Sequence, residues 1–405
     1  MVRIGISSAW VATTIGLVTA SVVSLDQRAP LTITVPLKKI STITNTSHLV
    51  ANDYARLQHH HSKHSGNATT RVALGEASAT NELNAYIAQT KVGSQTFDLV
   101  VDTGSSNTWV GSDTKFIAGS TGNNTGNAVE VDYGSGGFIG DEYTDAVSIG
   151  GTGVKQQSIG VAQLAIGFDG VDGILGLGPV ELTQGTVQGV SEVPTFMQTL
   201  VSEGVIAQNI LGISFAPIQG SAPESTNGVL TFGGVDSKLF KGNITYTPRI
   251  PPFWGISASS FKFGANSLGP NSTAAYLGFV DTGTTLILLP GPVFTAFLTV
   301  SNASVDPSTG FVAFPANAKP TQDISFVMGG TMFTMTPEQY LLPQAQYAFW
   351  GISAQQAQAS GGYALFGNAE TAGAPAGFVL GMSFLEFFYS VYDAENDRVG
   401  LAPAA

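Results

Sequence analysis

The sequence predicts a mainly β protein of two pseudo-symmetric lobes facing each other across a central cleft, and three observations carry that expectation. Only 11% of the 405 residues are charged, Gly numbers 49, and Thr, Ser and Val recur throughout, a balance that favours short strands and many turns over helices. An apolar strand runs into Asp-Thr-Gly twice, at Leu99-Val100-Val101-Asp102-Thr103-Gly104 and at Gly278-Phe279-Val280-Asp281-Thr282-Gly283. Each copy is followed by a second apolar element containing glycine, Gly173-Ile174-Leu175-Gly176 and Phe378-Val379-Leu380-Gly381. Two long units in the same order imply two lobes about a pseudo-twofold axis, with both Asp residues in the cleft between them.

In chain order, residues 1–20 come first, with one cation at Arg3, an apolar run from Trp10 to Val18 and small residues from Thr19. This reads as a secretory signal peptide, since the run is shorter than the ~20 apolar residues of a spanning helix. A secreted, extracellular protein without membrane attachment is expected. The chain has no Cys, so its stability rests on its core. Asn-x-Ser/Thr acceptors at Asn45, Asn67, Asn123, Asn243, Asn271 and Asn302 mark candidate glycosylation sites.

Residues 21–72 differ in charge from the body of the protein. Arg28, Lys38, Lys39, Arg56, Lys63 and Arg71 stand against only Asp26 and Asp53, and all five His lie at or before position 64. The chain beyond residue 72 holds nine Lys or Arg against the other 26 acids of the total of 28. Opposite fields of that size favour docking of a basic propeptide onto an acidic body, as an intramolecular inhibitor. The run His59-His60-His61-Ser62-Lys63-His64 has a zinc-binding reading, but a solvated run that charges in acid and loosens the segment is preferred. Lobes at 73–248 and 249–405 complete the organisation.

With neither His nor Cys beyond residue 64, the body cannot assemble a Ser-His-Asp triad, a Cys-His pair or a His-ligated zinc site. No metal or cofactor is expected, and the acidic charge opposes nucleic-acid binding. Asp169-Gly170-Val171-Asp172-Gly173 lacks the remaining positions of a calcium loop and reads as a turn leading to Gly176. Catalysis, if present, must rest mainly on carboxylates, hydroxyls or a lysine. Two carboxyls sharing one proton can take a proton from water and give one to a carbonyl. A carbohydrate-active enzyme also uses two carboxylates, but that reading accounts for neither the Gly-rich hairpin at 129–138 nor the basic segment.

The paired Asp-Thr-Gly motifs, Trp109, Tyr133-Gly134-Ser135-Gly136, the run Phe168 to Gly176 and the C-terminal run Leu380 to Ala402 resemble the pepsin family of aspartic proteases across about residues 83 to 403. The Cys-free pattern is most similar to a basidiomycete fungal branch. The resemblance implies the bilobal pepsin-like acid protease fold and a secreted acid endopeptidase made as a zymogen, with Asp102 and Asp281 catalytic and a polypeptide bound extended in the cleft of a monomer. It also implies that Ser105 and Thr284 donate hydroxyl bonds to the Asp pair, that Thr103 and Thr282 interlock the two loops, and that Gly104 and Gly283 admit backbone N–H groups. Tyr133, Gly134 and Ser135 are implied to form a flap, with Tyr133 bonded to Trp109. Thr34-Val35-Pro36-Leu37-Lys38-Lys39 is similar to the propeptide strand of such zymogens, whereas 315–332 and 344–361 depart from the family's pattern.

Overall fold

A computed structural model describes residues 32–43, 45–64, 83–269, 275–374 and 377–405. The leader at 1–20, Asn67, Asn271 and the junction at 72–82 lie outside the described residues. The first described strand, β1 (Ile33–Thr42), alternates strictly, with Val35, Leu37, Lys39 and Ser41 turned inward and buried. That period of two is what a strand buried on one face requires. β1 lies between the strand Glu224–Phe232 and β2 (Leu83–Val92), antiparallel to both. It is an interior member of a thirteen-stranded sheet.

The sheet continues from β2 to β3 (Gln95–Asp102) and outward to the paired strands Asn123–Asp132 and Gly137–Ile149. In the other direction it takes in Ile210–Ser214, Phe388–Asp393 and Arg398–Pro403. The C-terminal tail therefore returns to the sheet of the first half, while an eight-stranded sheet carries most of the second. One cluster of buried side chains joins the two, including Phe97, Leu99 and Leu175 on one side and Val280, Leu380 and Phe384 on the other.

Helix α1 (Thr46–His64) follows β1. Asn45 caps it by accepting from the Ser47 N–H at 3.0 Å and the Ser47 hydroxyl at 2.7 Å, a strongly preferred use of Asn. Its buried stripe holds Leu49, Val50, Asp53, Arg56, Leu57 and His60, the spacing of one helix face. Three polar side chains on a buried face call for partners, and each meets some in the cleft. Of the other acceptor asparagines, Asn123, Asn243 and Asn302 are exposed. Among the described residues no helix is long and apolar enough to cross a membrane.

Candidate active site

Both Asp residues sit at the end of a strand that is held in place by a parallel neighbour. β3 pairs with Gly173–Gly176, setting Asp102 opposite Gly176, and Tyr276–Val280 pairs with Gly377–Leu380. The Asp281 N–H donates to Leu380 O at 3.1 Å and the Leu177 N–H to Asp102 O at 2.7 Å. The repeated second elements of the sequence thus clamp the two motif strands. Asp102 and Asp281 are both fully buried, at 0% exposure.

The loops after the strands mirror each other. Gly104 N–H donates to Asp102 Oδ1 and Gly283 N–H to Asp281 Oδ1, each at 2.9 Å. The Ser105 hydroxyl donates to Asp102 Oδ2, and the Thr284 hydroxyl to Asp281 Oδ2 at 2.6 Å. Across the axis the Thr103 N–H donates to Thr282 Oγ1 at 2.9 Å and the Thr282 N–H to Thr103 Oγ1 at 3.1 Å. A Cβ on Gly104 would collide with the Asp281 carboxylate, and one on Gly283 with that of Asp102. Each glycine therefore makes room for the opposite loop's acid.

Between the carboxylates lies Arg56 from the middle of α1. Its Nη2 is 2.6 Å from Asp102 Oδ1 and 3.3 Å from Asp281 Oδ1, while Nε donates to Asp281 Oδ2 at 2.9 Å. One nitrogen touching the inner oxygen of each acid shows that the two meet at a single point. Burial works to raise both acids, but the Arg56 charge and its hydrogen bonds prevail at Asp281 and hold it below the usual carboxylate range. Asp102 ends above that range, where burial outweighs Arg56 and the Asp281 charge adds to the rise. The pair is split, and it titrates as a unit.

The rest of α1 is seated just as closely. Asp53 accepts the N–H groups of Thr285 and Leu286 at 3.2 and 2.8 Å, and the Asn368 N–H donates to the Tyr54 hydroxyl at 3.0 Å. His60 is buried edge-on against Phe253 and Phe279, with ring centroids 4.9 and 5.6 Å apart. His59 Nδ1 lies 3.7 Å from Asp132 Oδ2. The expected solvated histidine run is thereby corrected at His60, whose place on the helix's inward stripe puts it among aromatic rings.

Tyr133, Gly134 and Ser135 form the turn of a hairpin closed by the Tyr133 N–H to Gly136 O bond at 2.8 Å. The Gly134 backbone lies against Ala55 and His59 with no room for a Cβ. Trp109 is buried, stacked on Phe138 at 4.4 Å. The Tyr133 hydroxyl is near Trp109 and Ser105, yet neither it nor the Trp109 indole N–H completes a well-formed hydrogen bond among the described residues. The helix under the hairpin sets its height.

Sequence reasoning missed Arg56, Asp53 and His60 as cleft residues. Their spacing of three and four on one helical face was a usable signal.

Burial pushes Asp53 up to about 7, against the two N–H bonds and the Arg56 charge. The docked carboxyl thus holds a proton that a free one, with a pKa of about 3.9, releases. Its contribution to the docked state is fully present below the free pKa and is lost as pH rises through about 7. The full-length wild-type chain is therefore expected to gain about 1 kcal/mol, one or two degrees in Tm, between pH 8 and pH 6 relative to Asp53→Asn. Comparing the variants cancels Glu142, which burial also pushes up to about 7. Parallel Tm curves for the two proteins would refute the assignment.

A two-lobed β fold that brings one Asp-Thr-Gly turn from each half to a common point defines the aspartic peptidase class. The family model for eukaryotic aspartyl proteases matches residues 85–404. The chain is 42% identical over 341 residues to polyporopepsin of Irpex lacteus, covering 82% of this chain and 97% of that protein. It is 29% identical over 395 residues to human gastricsin, covering 92% and 95%. The crystal structure of an aspartic proteinase from Irpex lacteus superposes with a TM-score of 0.75 at 35% identity, covering 93% of this chain and 98% of that one. The chain belongs to the eukaryotic aspartyl protease family, and it is an aspartic-type endopeptidase, a hydrolase of peptide bonds.

Proposed function

We propose that Asp102 and Asp281 are the catalytic pair of a secreted acid endopeptidase made as an inactive precursor, and that the segment 21–72, with Arg56 at its centre, is the inhibitor. The observation that carries this reading is the single guanidinium nitrogen in contact with both inner carboxylate oxygens. A position that holds a cation between two acids can, once α1 has left, hold a water between them. The ionised carboxyl takes a proton from that water as its oxygen bonds to the peptide carbon, and the protonated one gives its proton to the carbonyl oxygen. Collapse of the tetrahedral adduct breaks the C–N bond as the carboxyl that took the water's proton passes it to the amine nitrogen and the other carboxylate takes back a proton from the adduct's hydroxyl.

Gly104 and Gly283 N–H groups with the Ser105 and Thr284 hydroxyls fix the carboxyl orientations, and the Thr103–Thr282 exchange ties the loops together. Tyr133, Gly134 and Ser135 close over an extended polypeptide, with Trp109 supporting Tyr133 from below. The alignment with human gastricsin covers more of this chain than 85–405 can supply, so it reaches upstream, which supports the precursor reading. The lobe limits at 73–248 and 249–405, secretion behind the 1–20 leader and a monomeric state belong to the same proposal.

The test is a shift of purified precursor from pH 7 to pH 4. Loss of about 50 residues from the N terminus and the appearance of statine-sensitive proteolysis are expected together. Full activity in a chain that keeps α1 would refute the precursor reading.

A further inference from the structure

The inward stripe of β1 contains one charge, Lys39, 5% exposed. Its ammonium is in direct contact with Glu386 Oε1, a carboxylate contributed 347 residues later. The Tyr86 hydroxyl lies 3.5 Å from Glu386 Oε1, with its proton donated to Ala216 O at 2.6 Å and its oxygen accepting from the Ala216 N–H at 3.1 Å. The Tyr86 ring stacks on Phe215 with centroids 3.6 Å apart. The carboxylate thus rests on a rigid support that belongs to the body of the protein, whereas its cation belongs to the segment proposed to leave.

Lys39 and Glu386 line a cavity of about 220 Å³, with Glu338 exposed at its rim. Asn84 lines this cavity and also a second one, of about 110 Å³, that reaches Asp102 and Thr285. Asn84 Nδ2 lies 3.5 Å from Thr285 Oγ1, and the Ser383 hydroxyl donates to Thr285 O at 2.7 Å. Asn84 therefore stands between the space beside the carboxylate pair and the acidic cavity. From residue 72 to β2 the sequence has no Lys or Arg, so the stretch left at the new N terminus carries no side-chain cation to replace Lys39. Lys319 borders an adjoining cavity that shares Glu338, Leu341, Leu342 and Pro343 with this one.

We propose that the cavity walled by Glu386 and Glu338 is a distal substrate subsite that takes a lysine or arginine side chain of the bound polypeptide, with Lys39 standing in for that side chain in the precursor. The inference rests on the endopeptidase reading above and on departure of β1. A buried carboxylate already matched in geometry to an ammonium gives a charge-assisted contact to any chain that can deliver one. Departure of β1 takes Lys39 out of the cavity wall together with its strand. Selection is then for charge at one position remote from the bond that is cut.

The test uses acid-matured enzyme and a family of peptides in which lysine or norleucine is placed, one position at a time, up to six residues on either side of the scissile bond. At pH 5 the Lys-to-norleucine ratio of kcat/KM is expected to reach about ten at one distal position and to stay near one elsewhere. In Glu386→Gln the ratio at that position falls toward one, and reading it within each enzyme removes any change in overall activity. Should Glu386→Gln strand Lys39 and spoil folding, Lys39→Met/Glu386→Gln matures without a buried lone charge and gives the same readout. A ratio near one at every position in wild type overturns the subsite and leaves the ion pair as a docking contact of β1. A ratio that persists in both variants overturns Glu386 as its cause. Failure to cut even the all-neutral peptide would strike at the endopeptidase reading itself, a separate outcome.

Discussion

Replacing Asp102 or Asp281 by Asn lowers kcat/KM of the mature enzyme by about a thousandfold or more, with either change alone sufficient. Asn keeps the shape of the side chain and still accepts the Gly104 or Gly283 N–H bond at 2.9 Å, so the loops and the Thr103–Thr282 exchange remain. What it removes is the ability to gain or lose a proton at that oxygen pair. Because one acid must be ionised while the other is protonated, the two losses are equivalent rather than additive, and the double variant is no worse than either single one. The comparison uses maturation by added wild-type enzyme, so that both variants are measured without the 21–72 segment. Activity within tenfold of wild type in either single variant would refute the pairing.

Arg56→Met is expected to abolish latency. The guanidinium is buried, and its charge is matched by two acids that are themselves at 0% exposure. Deleting it leaves the buried charge of the pair unmatched against an apolar stem, a loss of about 3–5 kcal/mol and hence about a hundredfold or more in helix docking. Intact variant precursor should cut a small peptide at pH 6, where wild-type precursor does not, and Arg56→Lys should lie between them because it keeps the charge without the fork. The sign of the acid response follows from the same contacts. Asp281 is held low by Arg56, so its contribution to docking is present above the ordinary carboxylate pKa and is lost as pH falls through the depressed value. Asp53 acts in the opposite sense, gaining in the docked state as pH falls through about 7. Neither contact weakens on the way down to pH 4, so release at that pH falls to the segment's exposed ion pairs, such as Lys38 with Glu224. Arg56→Met precursor that stays silent at pH 6 would show that α1 blocks the cleft by bulk alone.

The parts of the molecule that were legible in the sequence are those fixed by local grammar or by repetition. The Asp-Thr-Gly turns, the glycine elements that pair with their strands and the hairpin at 129–138 each announce themselves within ten residues. A duplicated order along the chain then implied the two lobes. Illegible were the contacts made at long range by the basic segment. Charge alone showed that this segment and the body attract, but six cations shared that role, and only folding reveals that Arg56 meets partners 46 and 225 residues away while Lys39 meets one 347 residues away. His60 lies in a polar run, and only the helical period turns it toward Phe253 and Phe279. The return of Phe388–Pro403 to the first half's sheet was likewise hidden, since a strand's pattern reports its faces and not its neighbours.

One calorimetric titration tests the central claim most directly: a statine peptide, which imitates the tetrahedral adduct, added at pH 6 to intact precursor and to acid-matured enzyme. The expected result is no binding to the intact precursor, whose acids are occupied by Arg56, and one equivalent per chain after maturation, because two aspartates make one site. Equal binding to both forms, or two equivalents in the mature enzyme, would contradict it.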